Sequence, residues 1–349
     1  MPENDVALMG HLMRRAGFGA QYHELEARAA KGYEETVEEL LNPDETTHGM
    51  DLDLAERYFI EWNNHVRCVP EYIAFRMINS KSQVEEKMIL FWHGILCHTD
   101  SKNQSQIASH AEWEMLRRCG MGSFKDLLIE ISKDPAMVYF LDNCLSHKDA
   151  INENYGRELL ELFSLGVGMD GEFNYTEDDV KECARAFTGW TIANGMPPQP
   201  YGRYTSTFVY NPDDHDDGEK TFLGHTGNFN GEDIIDILCK QPATARFISR
   251  HIYDFFVADE AQVPTWMDTP PRDPETIKML EDEYFRSDYN IRSMLRVLFN
   301  SDAFKNARFA RIKGPIETVI GTLRLAGDWT APKPGFEAIF EEMKHMGQE

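Results

Sequence analysis

Basic residues are scarce in this sequence. Its 349 residues include 35 Lys and Arg against 59 Asp and Glu, which gives a formal net charge of −24 at pH 7. A field of that sign repels phosphate backbones and anionic lipid surfaces. The composition therefore argues against nucleic acids and acidic membranes as partners, and it stays compatible with cationic ligands, metal ions and basic proteins.

Long apolar runs and an export signal are also missing. The longest apolar run, Met88–Cys97, falls well short of the roughly 20 residues that a bilayer crossing needs, and His93 and Gly94 interrupt it. The amino terminus opens with acidic residues and has no apolar signal core. We therefore expect no membrane span and no signal peptide, and a cytoplasmic location for the sequence as it stands.

Paired cysteines and familiar catalytic fingerprints are absent as well. The six cysteines stand singly without CxxC spacing, which favours buried reduced thiols over a disulfide framework or a zinc knuckle. No GxSxG, P-loop or dinucleotide-binding glycine pattern occurs. The acidic turn before Gly218 resembles a calcium loop, but Gly224 occupies the position that needs a bidentate acid. The sequence identifies no cofactor; a divalent metal stays an alternative without a complete motif.

Helix signals dominate what is present. Asp134-Pro135 and Asp273-Pro274 are typical helix starts, and Thr176 with Asp179 forms a variant of the capping box. A long apolar helix is predicted over residues 85–98. Strands do not alternate with helices, so a parallel sheet is not expected. The sequence predicts a mainly α fold, a multi-helical single domain over residues 1–349.

Residues 192–230 break this pattern. The segment is rich in Gly, Pro, Asn, Asp and aromatic residues. Within it, Thr205–Tyr210 and Lys220–Gly224 flank a turn-forming acidic stretch. This arrangement predicts a β-hairpin or long loop inserted in the helical domain.

A helix predicted over residues 152–165 gathers its charges on one face. At about 100° per residue, Glu153, Arg157 and Glu161 form an i,i+4 ladder, and Glu158 lies at the border with the apolar face. One interpretation is a solvated face of ordinary ion pairs. The other is a polar cleft in which carboxylates one turn apart bind a metal or act as acid and base. The polar loop before the helix and the lack of lysine on the face favour the second.

Two histidines are further candidates. His93, within the apolar helix, is predicted to be buried, and a buried imidazole needs a hydrogen-bond partner. It is either a core histidine or a ligand or general base. His215 is flanked by four aspartates, whose field is expected to favour its charged form. It is a candidate proton carrier if its loop closes over the polar helix.

Seven ordered blocks of the sequence resemble one bacterial family, called domain of unknown function 1800. The blocks are HLMRRAGFGA (His11–Ala20), EEKMILFWHGILCH (Glu85–His98), FKDLLIEISKDPAMVYFLDN (Phe124–Asn143), NENYGRELLELFSLGVG (Asn152–Gly168), YTEDDVKECARAFTGW (Tyr175–Trp190), the stretch His215–Ile248 that begins HDDGEKTFLG, and the closing EEMKHMGQ. The resemblance covers nearly the whole chain. By position, the family's characteristic polar residues fall on Trp92, His93, Asn152, Glu153, Asn154, Arg157, Glu158, Glu161, Trp190, His215 and Gly218.

The resemblance implies no particular reaction. Members are often encoded beside another, frequently exported family, which implies a protein partner encoded nearby. Many members carry export signals, which this sequence lacks. Relatives continue past the closing block, so we expect a further C-terminal segment that helps to complete any site.

Two functions from different classes follow. The first is an enzyme, a hydrolase or lyase acting on a small molecule or saccharide, with a cleft formed by the Asn152–Glu161 face, His93 and the His215 loop. Its catalytic candidates are Glu158, Glu161, Arg157, His93 and His215, and its substrate-binding candidates are Asn152, Glu153, Asn154, Trp92 and Trp190. The second is a non-enzymatic partner or scaffold of the neighbouring family's protein, docked through the acidic surface.

Overall fold

Helices make up most of the part of the chain that the computed structural model describes, which is residues 3–43, 49–61, 68–193, 206–326, 329–332 and 334–347. The α-helices are α1 (Glu3–Arg15), α2 (Tyr22–Lys31), α3 (Tyr33–Leu41), α4 (Leu52–Glu56), α5 (Cys68–Asn79), α6 (Gln83–His93), α7 (Asp100–Asn103), α8 (Gln106–Cys119), α9 (Phe124–Lys133), α10 (Pro135–Phe140), α11 (Asn154–Glu161), α12 (Glu177–Ala186), α13 (Gly231–Cys239), α14 (Pro242–Phe256), α15 (Pro274–Arg286), α16 (Ile291–Asn300), α17 (Asp302–Asn306), α18 (Pro315–Leu325) and α19 (Phe336–His345). The mainly α prediction is confirmed. Within the described residues, no helix combines the length and apolar character that a membrane crossing requires.

The predicted helix starts form as their local chemistry requires. The Asp134 carboxylate accepts the N–H groups of Ala136 and Met137 at 2.9 and 3.2 Å. Thr176 and Asp179 form a reciprocal capping box at the start of α12. These side chains satisfy N–H groups that have no partner inside the helix.

Two helices end earlier than the sequence predicted. The helix expected over 85–98 ends at His93, where the N–H groups of Ile95 and Leu96 both turn back to the Trp92 carbonyl. The helix expected over 152–165 is regular only from Asn154 to Glu161. It then closes in wide turns, and Gly166 follows with φ +72°, a conformation that favours glycine.

In the described part of the chain, the strands form three small antiparallel pairs. β1 (Gly168–Met169) pairs with β2 (Glu172–Phe173), β3 (Trp190–Ala193) with β4 (Thr207–Tyr210), and β5 (Lys220–Phe222) with β6 (His225–Gly227). The predicted hairpin between Thr205–Tyr210 and Lys220–Gly224 is therefore wrong in its pairing. Leu223 and Gly224 have φ of +46° and +79°, which suits the two central residues of a tight hairpin turn. The chain therefore turns back directly after β5, and β5 pairs with β6 instead of with β4. Residues 194–205 of this region lie outside the described part.

The chain divides into two compact units. Unit 1 comprises Met1–Phe91, Asp254–Asp259 and Arg292–Glu349, and unit 2 comprises Trp92–Tyr253 and Glu260–Ile291. All the predicted site residues belong to unit 2. The predicted single domain over residues 1–349 stays a prediction.

Unit 1 buries a cluster of opposite charges. Glu317 of α18 accepts hydrogen bonds from Lys87 of α6 and, at 3.3 Å, from Arg15 of α1. The Arg15 guanidinium also donates to the Phe256 carbonyl at 3.1 Å. All three side chains are shielded from solvent, so three separate stretches of the chain depend on one carboxylate.

In unit 2, α11 packs closely against α12 because Gly156 has no side chain. A Cβ atom at this position would lie 3.0 Å from the Ala184 nitrogen and 3.2 Å from the Val180 oxygen. The neighbouring Tyr155 is buried, and its hydroxyl donates a hydrogen bond to the Ser132 hydroxyl. These contacts bury the apolar side of α11 and leave its charged side facing outward.

The six cysteines are free thiols in the structure, as predicted. Cys68, Cys183 and Cys239 are buried, which fits the prediction of core thiols. Cys97 is exposed, so burial was wrongly predicted there. Cys97 lies in the turn after α6, at a position where the sequence predicted a continuous buried helix.

Candidate functional site

Two asparagines shape the start of α11. The Asn152 side-chain oxygen accepts the N–H of Asn154 at 3.0 Å. The Asn154 side chain donates to the Leu141 carbonyl at 3.1 Å. Both side chains thus have structural partners, and a part in substrate binding stays a prediction for them.

Arg157 is held by a neighbouring helix. Its guanidinium donates two parallel hydrogen bonds to the Glu177 carboxylate of α12, at 2.9 and 2.7 Å. A third, longer contact reaches Glu153 at 3.4 Å. The hydrogen bond with Glu177 is the largest cause that raises the pKa of Arg157. Because this fork is already occupied, Arg157 reaches a substrate anion only if Glu177 moves away.

Glu158 and Glu161 lie in different environments on the same face. Glu158 is half-buried, and among the described residues no side chain or N–H group donates a hydrogen bond to its carboxylate. Burial first, and the charge of Glu161 second, raise the pKa of Glu158. Glu161 instead accepts a hydrogen bond from the Tyr175 hydroxyl at 3.2 Å. The face therefore presents one carboxyl that resists ionisation beside one that is hydrogen-bonded.

His93 and Trp92 lie at the end of α6. His93 packs on Trp113, with ring centroids 4.4 Å apart, and burial lowers its pKa to about 4. Its Nδ1 is buried, and the partner predicted for it is missing among the described residues. Trp92 is fully buried, donates to the Gly120 carbonyl at 2.7 Å and stacks on Phe124. Trp92 therefore has no exposed surface that a substrate could contact.

Trp190 is also a core residue. It is 2% exposed, and its indole N–H donates to the Asn230 side chain at 2.9 Å. The rings of Phe187 and Phe208 pack edge-on against it at 5.0 and 5.2 Å. The indole anchors β3 to α12, and it too has no free surface for a substrate.

The His215 loop packs on α12. His215 is buried, and its Nδ1 lies 2.9 Å from the Thr188 carbonyl, to which it donates. Asp216 binds the guanidinium of Arg185 at 2.7 and 3.2 Å. A Cβ atom at Gly218 would lie 2.6 Å from Arg185 Nη2, so a side chain there would displace that guanidinium. Among the described residues, no hydrogen bond or ring contact joins His215 or His93 to the α11 face, and the three-part cleft stays a prediction.

A comparison with family models adds one match. Residues 11–349 match the family described as Protein of unknown function (DUF1800). The chain belongs to this family. Its membership confirms the resemblance carried by the seven sequence blocks. No curated protein and no solved structure matches the chain, so the function of this DUF1800 chain has to be argued from its own geometry.

Metal ligation finds little support in the described residues. Nowhere in them do three or more His, Cys, Asp or Glu side chains converge as a metal site requires. A small pocket of about 100 Å³ lies in unit 1, with Arg14, Phe18 and Lys313 among its lining residues. It contains none of the predicted site residues.

One buried polar cluster of this DUF1800 chain escaped the sequence analysis. His98 lies between Ser109 and Glu112 of α8, within hydrogen-bond distance of both. The helix predicted over residues 85–98 would include His98, but α6 ends at His93. The i,i+3 spacing of Ser109 and Glu112 was the available signal, and it is too common to stand out.

Proposed function

We propose that this protein is an acid–base enzyme of the hydrolase or lyase class, with Glu158 and Glu161 as its reacting pair. The observation that supports this most directly is the unequal environment of two carboxyls on one helix face. Burial and the neighbouring charge raise the pKa of Glu158, whereas Glu161 accepts a hydrogen bond from Tyr175. Two carboxyls whose environments differ in this way are suited to separate acid and base roles.

The helical spacing of Glu158 and Glu161 supports their action on one substrate bond. Residues three apart on a helix have Cβ atoms about 5–6 Å apart. In a hydrolysis, Glu158 gives its proton to the leaving oxygen, while Glu161 takes a proton from the attacking water. In an elimination, Glu161 takes a carbon-bound proton and Glu158 protonates the leaving group. The proton count balances in either case, and no cofactor is required.

The surroundings of the pair favour a saccharide or another hydroxylated small molecule. The Tyr175 hydroxyl lies beside Glu161, and Phe173, two residues earlier, is 73% exposed. An exposed aromatic ring offers an apolar face to sugar C–H groups, and carboxylates accept hydrogen bonds from sugar hydroxyls. Asn152 and Asn154 are the substrate-binding candidates in this proposal, and Glu153 is assigned instead to the ion pair with Arg157.

Replacing Glu158 with glutamine is expected to lower turnover by about 100- to 10,000-fold, the usual contribution of a general acid. Glutamine keeps the shape but has no proton to give. The assay uses nitrophenyl glycosides and polyuronates, because a freed nitrophenol reports hydrolysis and the absorbance of an unsaturated product reports elimination. Glu153→Gln is the matched control, since Glu153 lies on the same face and pairs with Arg157.

Stability separates a catalytic Glu158 from a structural one. A raised folded-state pKa penalises the ionised form at neutral pH, so Glu158→Gln is expected to keep or slightly raise the free energy of unfolding. Carboxyl NMR should show Glu158 titrating above the usual glutamate range. A normal titration, no turnover by the wild-type protein, or equal losses in Glu158→Gln and Glu153→Gln would each contradict the proposal.

One observation favours the second candidate, a non-enzymatic binding protein. Apolar side chains are exposed on either side of α11 in the chain, with Ile151 at 40% before it and Leu162 at 46% directly after it, and Leu145 is 59% exposed in the segment that precedes them. Acidic and apolar groups in one patch suit a partner that is both basic and apolar. Co-purification with the protein encoded nearby, weakened by salt and by Leu162→Asp, would support this function over catalysis.

A further inference from the structure

The cluster around His98 has the connectivity of a nucleophile, a base and an orienting acid. His98 Nε2 lies 2.9 Å from the Ser109 hydroxyl oxygen. On the other side of the ring, His98 Nδ1 lies 2.7 Å from Glu112 Oε2. All three side chains are in unit 2. They share no residue with the α11 face.

We propose that Ser109 is a nucleophile activated by His98 and oriented through Glu112, and that this second centre hydrolyses carboxylic esters. The proposal goes beyond the acid–base pair of α11, and it uses none of the residues of that pair. It rests on the two hydrogen bonds and on the burial of the three groups.

The hydrogen bonds select the tautomer that the chemistry needs. Glu112 is fully buried, and its Oε2 accepts the Nδ1–H of His98. The imidazole then carries its lone pair on Nε2, which accepts the O–H of Ser109. An orienting carboxylate of this kind also stabilises the imidazolium that forms when the serine is deprotonated.

A second buried carboxyl adjusts the charge of the cluster. Asp134 is 7% exposed and caps α10 through the N–H groups of Ala136 and Met137. Burial first, and the charge of Glu112 second, raise its pKa well above the usual range. A raised pKa favours the neutral form of Asp134, which weakens its competition with Glu112 for the His98 ring.

The cluster is layered from the surface inward. Ser109 is 6% exposed and His98 is 8% exposed, whereas Glu112 is 0% exposed. Cys97 and Thr99, on either side of His98 in the chain, are both exposed, so the imidazole lies just beneath the surface. A nucleophile and a base this close to full burial suit a small or unbranched acyl group.

The proposed reaction has two halves. Ser109 Oγ attacks the ester carbonyl carbon, and its proton passes to His98 Nε2. The tetrahedral intermediate collapses, the carbon–oxygen bond of the alcohol breaks, and the leaving oxygen takes the proton from Nε2. Water then attacks the acyl-serine in the same way, which releases the acid and restores Ser109. Water is the one co-reactant consumed.

Covalent labelling with a fluorophosphonate tests the nucleophile directly. We expect the intact wild-type protein to gain the mass of one phosphonyl group, and peptide mapping to place it on Ser109. Ser109→Ala should abolish labelling. Glu112→Gln should slow it by at least about 100-fold, because glutamine can hold the wrong tautomer, and His98→Gln should slow it similarly. Hydrolysis of nitrophenyl acetate and nitrophenyl butyrate should fall in parallel.

A purely structural cluster would behave differently. Ser132→Ala is the matched control, because Ser132 is another buried serine of unit 2 whose hydroxyl is hydrogen-bonded. It should keep full labelling, and circular dichroism should show that each variant is folded. Folded wild-type protein that stays unlabelled, or a label that persists in Ser109→Ala, would overturn the proposal. Glu158→Gln should keep full labelling, so failure here is distinguishable from failure of the acid–base proposal.

Discussion

Replacing Glu317 with alanine is expected to lower the free energy of unfolding by about 3–5 kcal/mol, the usual cost of breaking a buried ion pair from one side. The side chains of Lys87 and Glu317 are 0% and 6% exposed. Without the carboxylate, Lys87 and Arg15 stay buried, and each loses a charged hydrogen bond. Urea unfolding followed by circular dichroism measures the loss.

The pKa values around Glu317 predict how this effect changes with pH. Burial alone would raise the pKa of the carboxyl, but the charges of Lys87 and Arg15 outweigh burial and lower it from 4.5 to about 2. A depressed folded-state pKa stabilises the fold above the unfolded pKa, so this contribution is lost as pH falls from 4.5 through 2. The difference in the free energy of unfolding between the wild type and Glu317→Ala should therefore become smaller as pH falls over that range.

Lys87 works against part of this stabilisation. Its burial lowers its pKa from 10.5 to about 8, even though Glu317 pulls in the opposite direction. The folded state therefore disfavours charged Lys87, a penalty that is complete below pH 8 and is relieved as pH rises toward 10.5. The intact pair therefore contributes less to the free energy of unfolding than the lowered pKa of Glu317 alone suggests. In Glu317→Ala, by contrast, the cost of burying the Lys87 cation remains and the carboxylate that offset it is gone.

Glu38→Ala is the control for the Glu317 prediction. Glu38 also pairs with an arginine of unit 1, at 2.6 Å from Arg296, but both side chains are well exposed. An exposed pair contributes about 0–1 kcal/mol. Equal losses in the two variants would show that burial is not the cause of the Glu317 effect.

Features governed by neighbouring residues were predictable from the sequence. Thr176 and Asp179 form the expected capping box because that motif needs only a four-residue segment. The i,i+4 contact between Glu153 and Arg157 is likewise present. The pairing of the strands was not predictable from the same kind of signal, because it depends on the positive φ of Leu223 and on loop contacts with α12.

The candidate site was predictable only in part, for the same reason. Helical periodicity placed Glu158 at the border of the apolar face, where the structure finds it half-buried. It could not show that Arg157 binds Glu177, twenty residues away, because that contact depends on how α11 packs on α12. The cluster of His98 was hidden because α6 ends before it. A helix that continued to residue 98 would direct the His98 ring away from Ser109 and Glu112, so the error in the predicted end of α6 concealed these contacts.

The buried pair of Arg250 and Glu260 is the counterpart of the Glu317 cluster in unit 2. Both side chains are 1% exposed, and the guanidinium donates to the carboxylate at 2.6 Å. The guanidinium also lies 4.4 Å from the ring centre of Trp266 and donates to the Thr269 carbonyl at 3.2 Å. One arginine thus holds the irregular stretch of residues 259–273 against α14.

Arg250→Ala is therefore expected to lower the free energy of unfolding by about 3–5 kcal/mol, because Glu260 stays buried after losing the charged hydrogen bond from Arg250. Arg118→Ala is the control in the same unit. Arg118 pairs with Glu130, and both side chains are well exposed, so its loss should be about 1 kcal/mol or less. Similar losses in the two variants would contradict the role of burial.

The same unfolding curves test the predicted single domain. Glu317→Ala and Arg250→Ala should shift one common transition, whereas two transitions that respond separately would mean that units 1 and 2 unfold as independent domains.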